Sequence, residues 1–276
     1  MHVSPLPRLT ALRYVQPLRE GGSLPAIVDT DDGMYVVKFR GAGQGPRALV
    51  AELIVGRLAH ALGLPTPDLA IVDLPPPFGL SEPDPEIQDL LRASQGTNVG
   101  MRYLDGAFNF ALAAAGDVLP AGFADRLVWL DAFVTNPDRT HRNTNLLVCH
   151  RRIWLIDHGA ALYAHHDWSN VDDARTRSPF TLIRDHVLIT ECDGVQDVDA
   201  ELAARITPDL LRTILDAVPD ELIHDAAIFA SPDAARDRYL TYLTERLRAP
   251  RPFVSEAARA RDSVRAAPAR RLADRR

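Results

Sequence analysis

This chain of 276 residues has almost no lysine: of its 31 basic residues, only Lys38 is not an arginine. Cysteine is nearly as scarce, with Cys149 and Cys192 the two present. They form no C-x-x-C pair, which argues against a disulfide framework and a thiolate zinc site and fits a reducing, cytoplasmic setting. No apolar run approaches the roughly 20 residues a membrane helix needs, so no membrane partner is expected. Met1 to Pro7 lack the basic-then-apolar pattern of a targeting signal. A net charge of −6 gives no general attraction to nucleic acid. What is present is an ordinary globular composition, 46% hydrophobic, long enough for one bilobal domain or two small ones.

The single lysine lies in Met34-Tyr35-Val36-Val37-Lys38-Phe39, which reads as a buried strand. Arginine presents a planar fork and lysine a compact point charge on a slim stem. A site that crowds one ammonium against phosphate oxygens therefore does not take arginine without loss. Lys38 is a candidate phosphate ligand, although composition alone leaves a surface lysine equally open.

The pattern along the chain predicts a meander of Leu12 to Leu18, Pro25 to Asp29 and Tyr35 to Phe39, with Asp32-Gly33 as a hairpin turn. Apolar residues from Pro46 to Leu62 recur at helical spacing, stopped by Gly63. Strands at Leu69 to Leu74 and Asn98 to Leu104 flank a polar stretch that opens at Pro75 and is expected on the surface. After Asp105-Gly106 the composition turns helical, apart from a short hairpin at Leu146 to Val148 and Ile153 to Ile156. The expected organisation is a first lobe over residues 1–105, a second over 106–250 and a tail over 251–276. That tail holds eight arginines against three acidic residues and is read as solvated and disordered.

The strongest local signal is Asn136-Pro137-Asp138-Arg139-Thr140-His141-Arg142-Asn143, followed by Asn145-Leu146-Leu147-Val148 and then Ile156-Asp157-His158-Gly159. Phosphoryl transfer needs a base near the acceptor hydroxyl and oxygen ligands for magnesium. Asp138, Asn143 and Asp157 supply these types at the D-x-x-x-x-N spacing of protein kinases. Lys38 on a third strand and Glu52 on the next helix complete the kinase order. Glu52 lies near Leu49 and Leu53, where a carboxylate needs a cation such as Lys38. Gly21, Gly22 and Ser23 occupy the place of a phosphate-covering loop. Met101 and Tyr103 fall where a linker would border adenine. Arg142 would add positive charge near the transferred group, and Arg139 fits a structural ion pair.

These segments, with Ala51-Glu52-Leu53, resemble the HipA-like kinases, serine/threonine-type kinases of bacterial toxin and regulatory systems. The resemblance runs over about residues 10 to 245 and is greatest to the compact branch that lacks an extra N-terminal subdomain. It implies an α+β, two-lobed protein-kinase-like fold, with a small antiparallel sheet and one helix in the first lobe and a mainly helical second lobe. It further implies ATP with magnesium, Asp138 as catalytic base, and Asn143 and Asp157 as metal ligands, with Asn145 a competitor to Asn143. His158 stands where many eukaryotic kinases carry phenylalanine, and no His-Arg precedes Asp138.

The acceptor is unknown, a protein being expected over a small molecule. The acidic segment Trp168 to Asp173 would suit a basic or amine-bearing acceptor. A regulator that binds nucleotide without catalysis, an AMP-transferase and a small-molecule kinase are the rivals. His165-His166-Asp167 lacks the spacing of a metal motif, and no G-x-S-x-G elbow supports a hydrolase.

Overall fold

The computed structural model describes residues 5–18, 24–76, 78–79, 82–114 and 118–267. The apolar alternation of the first hundred residues forms a barrel. β1 (Arg8–Pro17), β2 (Ala26–Thr30) and β3 (Gly33–Lys38) are followed by α1 (Gly45–Ala61), β4 (Leu69–Leu74), α2 (Pro85–Ala93) and β5 (Gly96–Arg102). The strands lie in the order β1-β2-β3-β5-β4, each antiparallel to its neighbour. The expected all-antiparallel sheet is corrected by one further pairing. β1 runs parallel to β4, with Arg8 opposite Ile71 and Thr10 opposite Asp73, and closes the ring. Arg8 grips Asp73 through bonds of 2.6 and 2.8 Å, and the Ile71 N–H donates to the Pro7 carbonyl at 2.9 Å.

Side chains alternate across this wall as the pleat requires. Ala70, Val72 and Leu74 fill the barrel with Val28, Tyr35 and Val37, while Leu69, Ile71, Val99 and Met101 join a second, larger core. The first half carries two helices, not the one expected. Asp84 accepts the Glu86 N–H at 2.9 Å to start α2, and Ile87 and Leu91 are buried against the barrel core. A polar opposite face made this segment read as surface loop. α1 is also more buried than an amphipathic helix: every residue from Ala48 to Ala59 is enclosed, Glu52 and Arg57 included. A helix apolar on all sides belongs in an interior.

The chain continues through β6 (Phe108–Asn109), α3 (Phe123–Phe133), β7 (Leu146–Cys149) and β8 (Arg152–Leu155), with β6, β7 and β8 forming a small sheet. Then come α4 (Asp173–Thr176), α5 (Asp199–Arg205), α6 (Pro208–Asp216), α7 (Asp220–Ile223), α8 (Pro232–Leu247) and α9 (Pro252–Ala266). α5 and α6 are separate because Thr207 caps the second, accepting the Leu210 N–H at 3.1 Å, and Pro208 opens it. Among the described residues no helix is long and apolar enough to cross a membrane.

The expected disordered tail is overturned over residues 251–267. Phe253, Ala257 and Ala260 recur at helical steps and are buried. Phe253 packs on Trp129 and Phe133 of α3, with ring centroids 5.5 and 5.9 Å away. Small alanines set between arginines concealed this stripe. Arg246 of α8 fixes the same region, donating to the carbonyls of Ala132, Phe133 and Thr176 at 2.9, 2.7 and 2.7 Å.

Phe253→Ala is expected to lower unfolding stability in urea by about 3–5 kcal/mol. A loss under about 0.5 kcal/mol, ordinary for a surface site, would return α9 to solvent. His165 supplies a pH test. It is enclosed, with Nδ1 3.0 Å from the Tyr239 hydroxyl, and burial with the nearby charges of His166 and Arg47 pushes its pKa down to about 3. The unfolded chain takes up that proton near the ordinary value of 6.5 and the folded chain does not. Stability therefore falls as pH drops from 6.5 toward 3, and His165→Leu is expected to flatten the pH dependence of the urea midpoint.

Candidate active site

Lys38 ends β3 and pairs in register with Val99 of β5, which aims its side chain out of the barrel toward α1. Its Nζ lies 2.7 Å from Glu52 Oε2 and 2.7 Å from Asp157 Oδ1. Burial disfavours the ammonium, but the two carboxylates outweigh it and raise the Lys38 pKa above the usual lysine value. The Asp157 carboxyl is lowered because Lys38 more than offsets its own burial. Glu52 Oε2 also accepts the His158 N–H at 2.8 Å, so one carboxylate oxygen holds both the lysine and the backbone just after Asp157. Three of the expected site residues thus meet across 119 positions of sequence.

Asp138 follows the end of α3. Asn136 donates to Asp131 Oδ1 at 3.0 Å and accepts the Asp138 N–H at 3.1 Å, so a buried side chain orients the loop. Asp138 Oδ2 accepts Nδ2 of Asn143 at 2.9 Å and of Asn145 at 3.1 Å, and Asn145 also donates to the Asp138 carbonyl at 3.1 Å. Thr140 ties the turn between them, its N–H donating to the Asn143 carbonyl at 2.8 Å. Thr135, Asn145 and Asp157 take positive φ of 53°, 47° and 53°. Asparagine and aspartate tolerate this region, whereas a β-branched threonine is strained there and must be held by its surroundings.

Thr135 Oγ1 accepts the Tyr163 N–H at 3.3 Å. Arg139, one residue after Asp138, is fully enclosed. Nε donates to Asp131 Oδ2 at 2.6 Å, Nη1 to the carbonyls of Asn145 and, at 3.3 Å, Ile156, and Nη2 to His158 Nδ1 at 3.2 Å. Arginine has no acceptor, so His158 Nδ1 must be unprotonated and the ring neutral. Burial and the Arg139 charge push the His158 pKa down to about 3, in keeping with that tautomer. His186 accepts the Leu188 N–H on Nδ1 at 3.0 Å and therefore donates from Nε2 to Asp131 Oδ2, also 3.0 Å away. Burial alone would raise the Asp131 carboxyl, but Arg139 and His186 together hold it well below the usual range. Asp131 and His186 escaped the sequence reading, and Asn136 was read as part of the motif without a role: Asp131 looks like any helix aspartate until Arg139 is placed beside it.

Other expected residues are dispersed. Met101 is packed in the larger core and Tyr103, beyond β5, is 37% exposed. The Tyr103 N–H donates to the Met34 carbonyl at 3.0 Å. Gly21, Gly22 and Ser23 lie outside the described residues. Part of the acidity expected of the Trp168 to Asp173 segment, and of its neighbour Asp167, is engaged within the chain. Asp167 pairs with Arg175 at 3.0 Å, and Asp172 caps α4 by accepting the Arg175 N–H at 2.7 Å.

Asp157 keeps a part-exposed carboxylate, and Asn143 and Asn145 bring amide oxygens beside Asp138. This is a hard oxygen set, suited to magnesium that keeps phosphate and water among its ligands. Among the described residues no cluster of three or more His, Cys, Asp or Glu offers a separate metal centre.

A profile described as HipA-like kinase matches residues 13–230. No curated protein matches the chain in sequence. Among solved structures, a proinflammatory kinase of Helicobacter pylori, CtkA, superposes with a TM-score of 0.55 at 12% identity, covering 95% of this chain and all of that one. That likeness establishes a shared kinase fold. With the profile spanning most of its length, the chain belongs to the HipA-like kinase family.

Proposed function

We propose that this protein transfers the γ-phosphoryl group of ATP to the hydroxyl of a serine or threonine of a protein, and that it does so in the cytoplasm. The carrying observation is the meeting of Lys38, Glu52 and Asp157 at 2.7 Å contacts, with Asp138 set between two asparagine amides on the adjoining loop. The reading divides the chain into two lobes near residue 105, the barrel with α1 and α2 forming one and the helical part with α9 the other. Nucleotide would enter between them, where Met101, Tyr103 and the Gly21-Gly22-Ser23 segment are proposed to border it.

Each residue then has a role set by its surroundings. Lys38, kept charged by Glu52, orients phosphate oxygens. Asp138 accepts the hydroxyl proton, its carboxylate aimed by the Asn143 and Asn145 amides. Magnesium, when bound, would neutralise charge on the phosphates, with Asp157 and an asparagine oxygen as its protein ligands. Spacing points to Asn143 as that asparagine. The backbone pairing favours Asn145, whose carbonyl accepts the N–H of Ile156, the residue before Asp157, at 3.1 Å. Both cysteines are free and buried, in keeping with a reducing compartment.

Incubation with γ-labelled ATP, alone and with candidate proteins, tests the reading, with mass spectrometry separating added phosphate from added AMP. Asp138→Ala is expected to lower transfer on the order of 10²- to 10⁴-fold, the range for loss of a general base, without lowering the melting temperature. Asp157→Ala should abolish magnesium-dependent transfer. Full activity in either variant, or an AMP adduct, would sink the assignment. Lys38→Arg is expected to fall about 10²-fold, as for loss of one preorganised donor, because a planar fork does not fit between Glu52 and Asp157. Unchanged ATP turnover in that variant would show that charge alone suffices.

A further inference from the structure

β3 parts from β5 immediately after the site lysine. The ladder between them runs from Tyr35 opposite Arg102 to Lys38 opposite Val99 and ends there, while β5 keeps pairing with β4 through Asn98, Thr97 and Gly96. The backbone that leaves the sheet is caught by two side chains. Asn98 Oδ1 accepts the Arg40 N–H at 2.8 Å, and Ser94 Oγ accepts the Gly41 N–H at 3.1 Å. Both side chains are fully enclosed. Asn98 Nδ2 donates to the carbonyls of Ser94 and Gly96, each at 2.8 Å, and Ser94 Oγ donates to the Leu90 carbonyl at 2.7 Å.

Burying an amide and a hydroxyl is tolerable only when their hydrogen bonds are made. Here they are made to the segment that joins Lys38 to α1. The approach is close: a Cβ on Gly41 would lie 2.8 Å from the Ala93 Cβ and 2.8 Å from Ser94 Oγ, so glycine lets the loop rest on the end of α2. Beyond Gly41 the loop turns tightly. The Ala42 N–H donates to the Phe39 carbonyl at 3.1 Å, and the Gly45 N–H to the Ala42 carbonyl at 2.8 Å where α1 begins. Glu52 follows about two turns into that helix. α2, the helix beyond the one expected, is thus the abutment for the loop between two residues whose side chains meet at 2.7 Å.

Resting on the phosphotransferase reading, we propose that Asn98, supported by Ser94, is a positioning residue that acts through Lys38. By taking over from the ladder at Arg40 it fixes where β3 leaves the sheet, and so the direction in which Lys38 presents its ammonium to phosphate oxygens. Both residues act from within the fold and transfer no proton.

The test uses the full chain with Asn98→Ala, Ser94→Ala and Phe253→Ala, the last a destabilised control in α9. Because Lys38 is the one lysine, protein grown with lysine carrying carbon-13 at Cε gives a single resonance that reports on this side chain. Asn98→Ala is expected to move that resonance toward the position of free lysine. It should also lower kcat/KM for ATP on the order of 10- to 10²-fold, as for a misplacement of about 1 Å, with the KM of a protein acceptor unchanged. Ser94→Ala should do the same on a smaller scale, and it decides the matter if Asn98→Ala does not fold. In a Lys38→Arg background the further loss from Asn98→Ala should largely vanish, whereas a merely structural role would multiply with it in full. An unmoved resonance in either folded variant, full multiplication of the two losses, or a loss confined to the acceptor KM overturns the proposal. Movement in Phe253→Ala would trace the shift to lost stability and overturn it as well. No transfer by the unaltered chain fails the phosphotransferase reading, while the lysine resonance still shows whether Asn98 positions Lys38.

Discussion

The ion pair of Asp131 with Arg139 is sealed from water on both sides, and the rest of the site hangs from it. Two opposite charges in an interior are tolerable only when every remaining donor and acceptor is met. Here Asp131 takes hydrogen bonds from Arg139, His186 and Asn136, while Arg139 reaches two carbonyls and His158 besides. Those contacts join the end of α3, the loop of Asp138, the close of the β7–β8 hairpin and the backbone after Asp157. Removing either partner would leave an uncompensated buried charge, a loss of about 3–5 kcal/mol in comparable pairs. Geometry at Asp138 and cohesion of the surrounding core are therefore one property.

Lys38 is the counterpart on the barrel side. It reaches Asp157 while Asp157 is followed directly by His158, whose ring meets Arg139 and whose N–H meets Glu52. The barrel strand, α1 and the loop after β8 are thus linked by a short chain of charge-assisted bonds, which are stronger than neutral ones. The neutrality of His158 matters to this chain. A protonated ring would face the Arg139 guanidinium with no acceptor to offer, and its burial keeps it uncharged.

Much of this was legible in the sequence, and what was not has identifiable causes. Lys38, Glu52, Asp138 and Asp157 could be read because their types, order and elements are constrained together, and the structure brings Lys38, Glu52 and Asp157 into contact. Arg139 was open as an ion pair, but its partner was not visible: Asp131 lies in an apolar helix with no local sign of enclosure. The barrel closure was missed because parallel pairing of Arg8 with Ile71 joins segments 63 residues apart with no turn to announce it. α9 was missed because Ala257 and Ala260 weigh little on a hydropathy scale, yet small side chains are what allow a helix to approach α3 closely.

The closed barrel also bears on recognition. An open sheet offers an edge whose free N–H and C=O groups can accept a strand from another chain, and many peptide-binding domains capture their targets that way. Joining β1 to β4 through Arg8, Leu9 and Thr10 removes that edge over these residues. A protein that docks where β1 meets β4 must be distinguished by side chains and loops, without the sequence-blind grip of backbone pairing. Selectivity on that face then depends on few residues, and it can change by substitution without disturbing the ring.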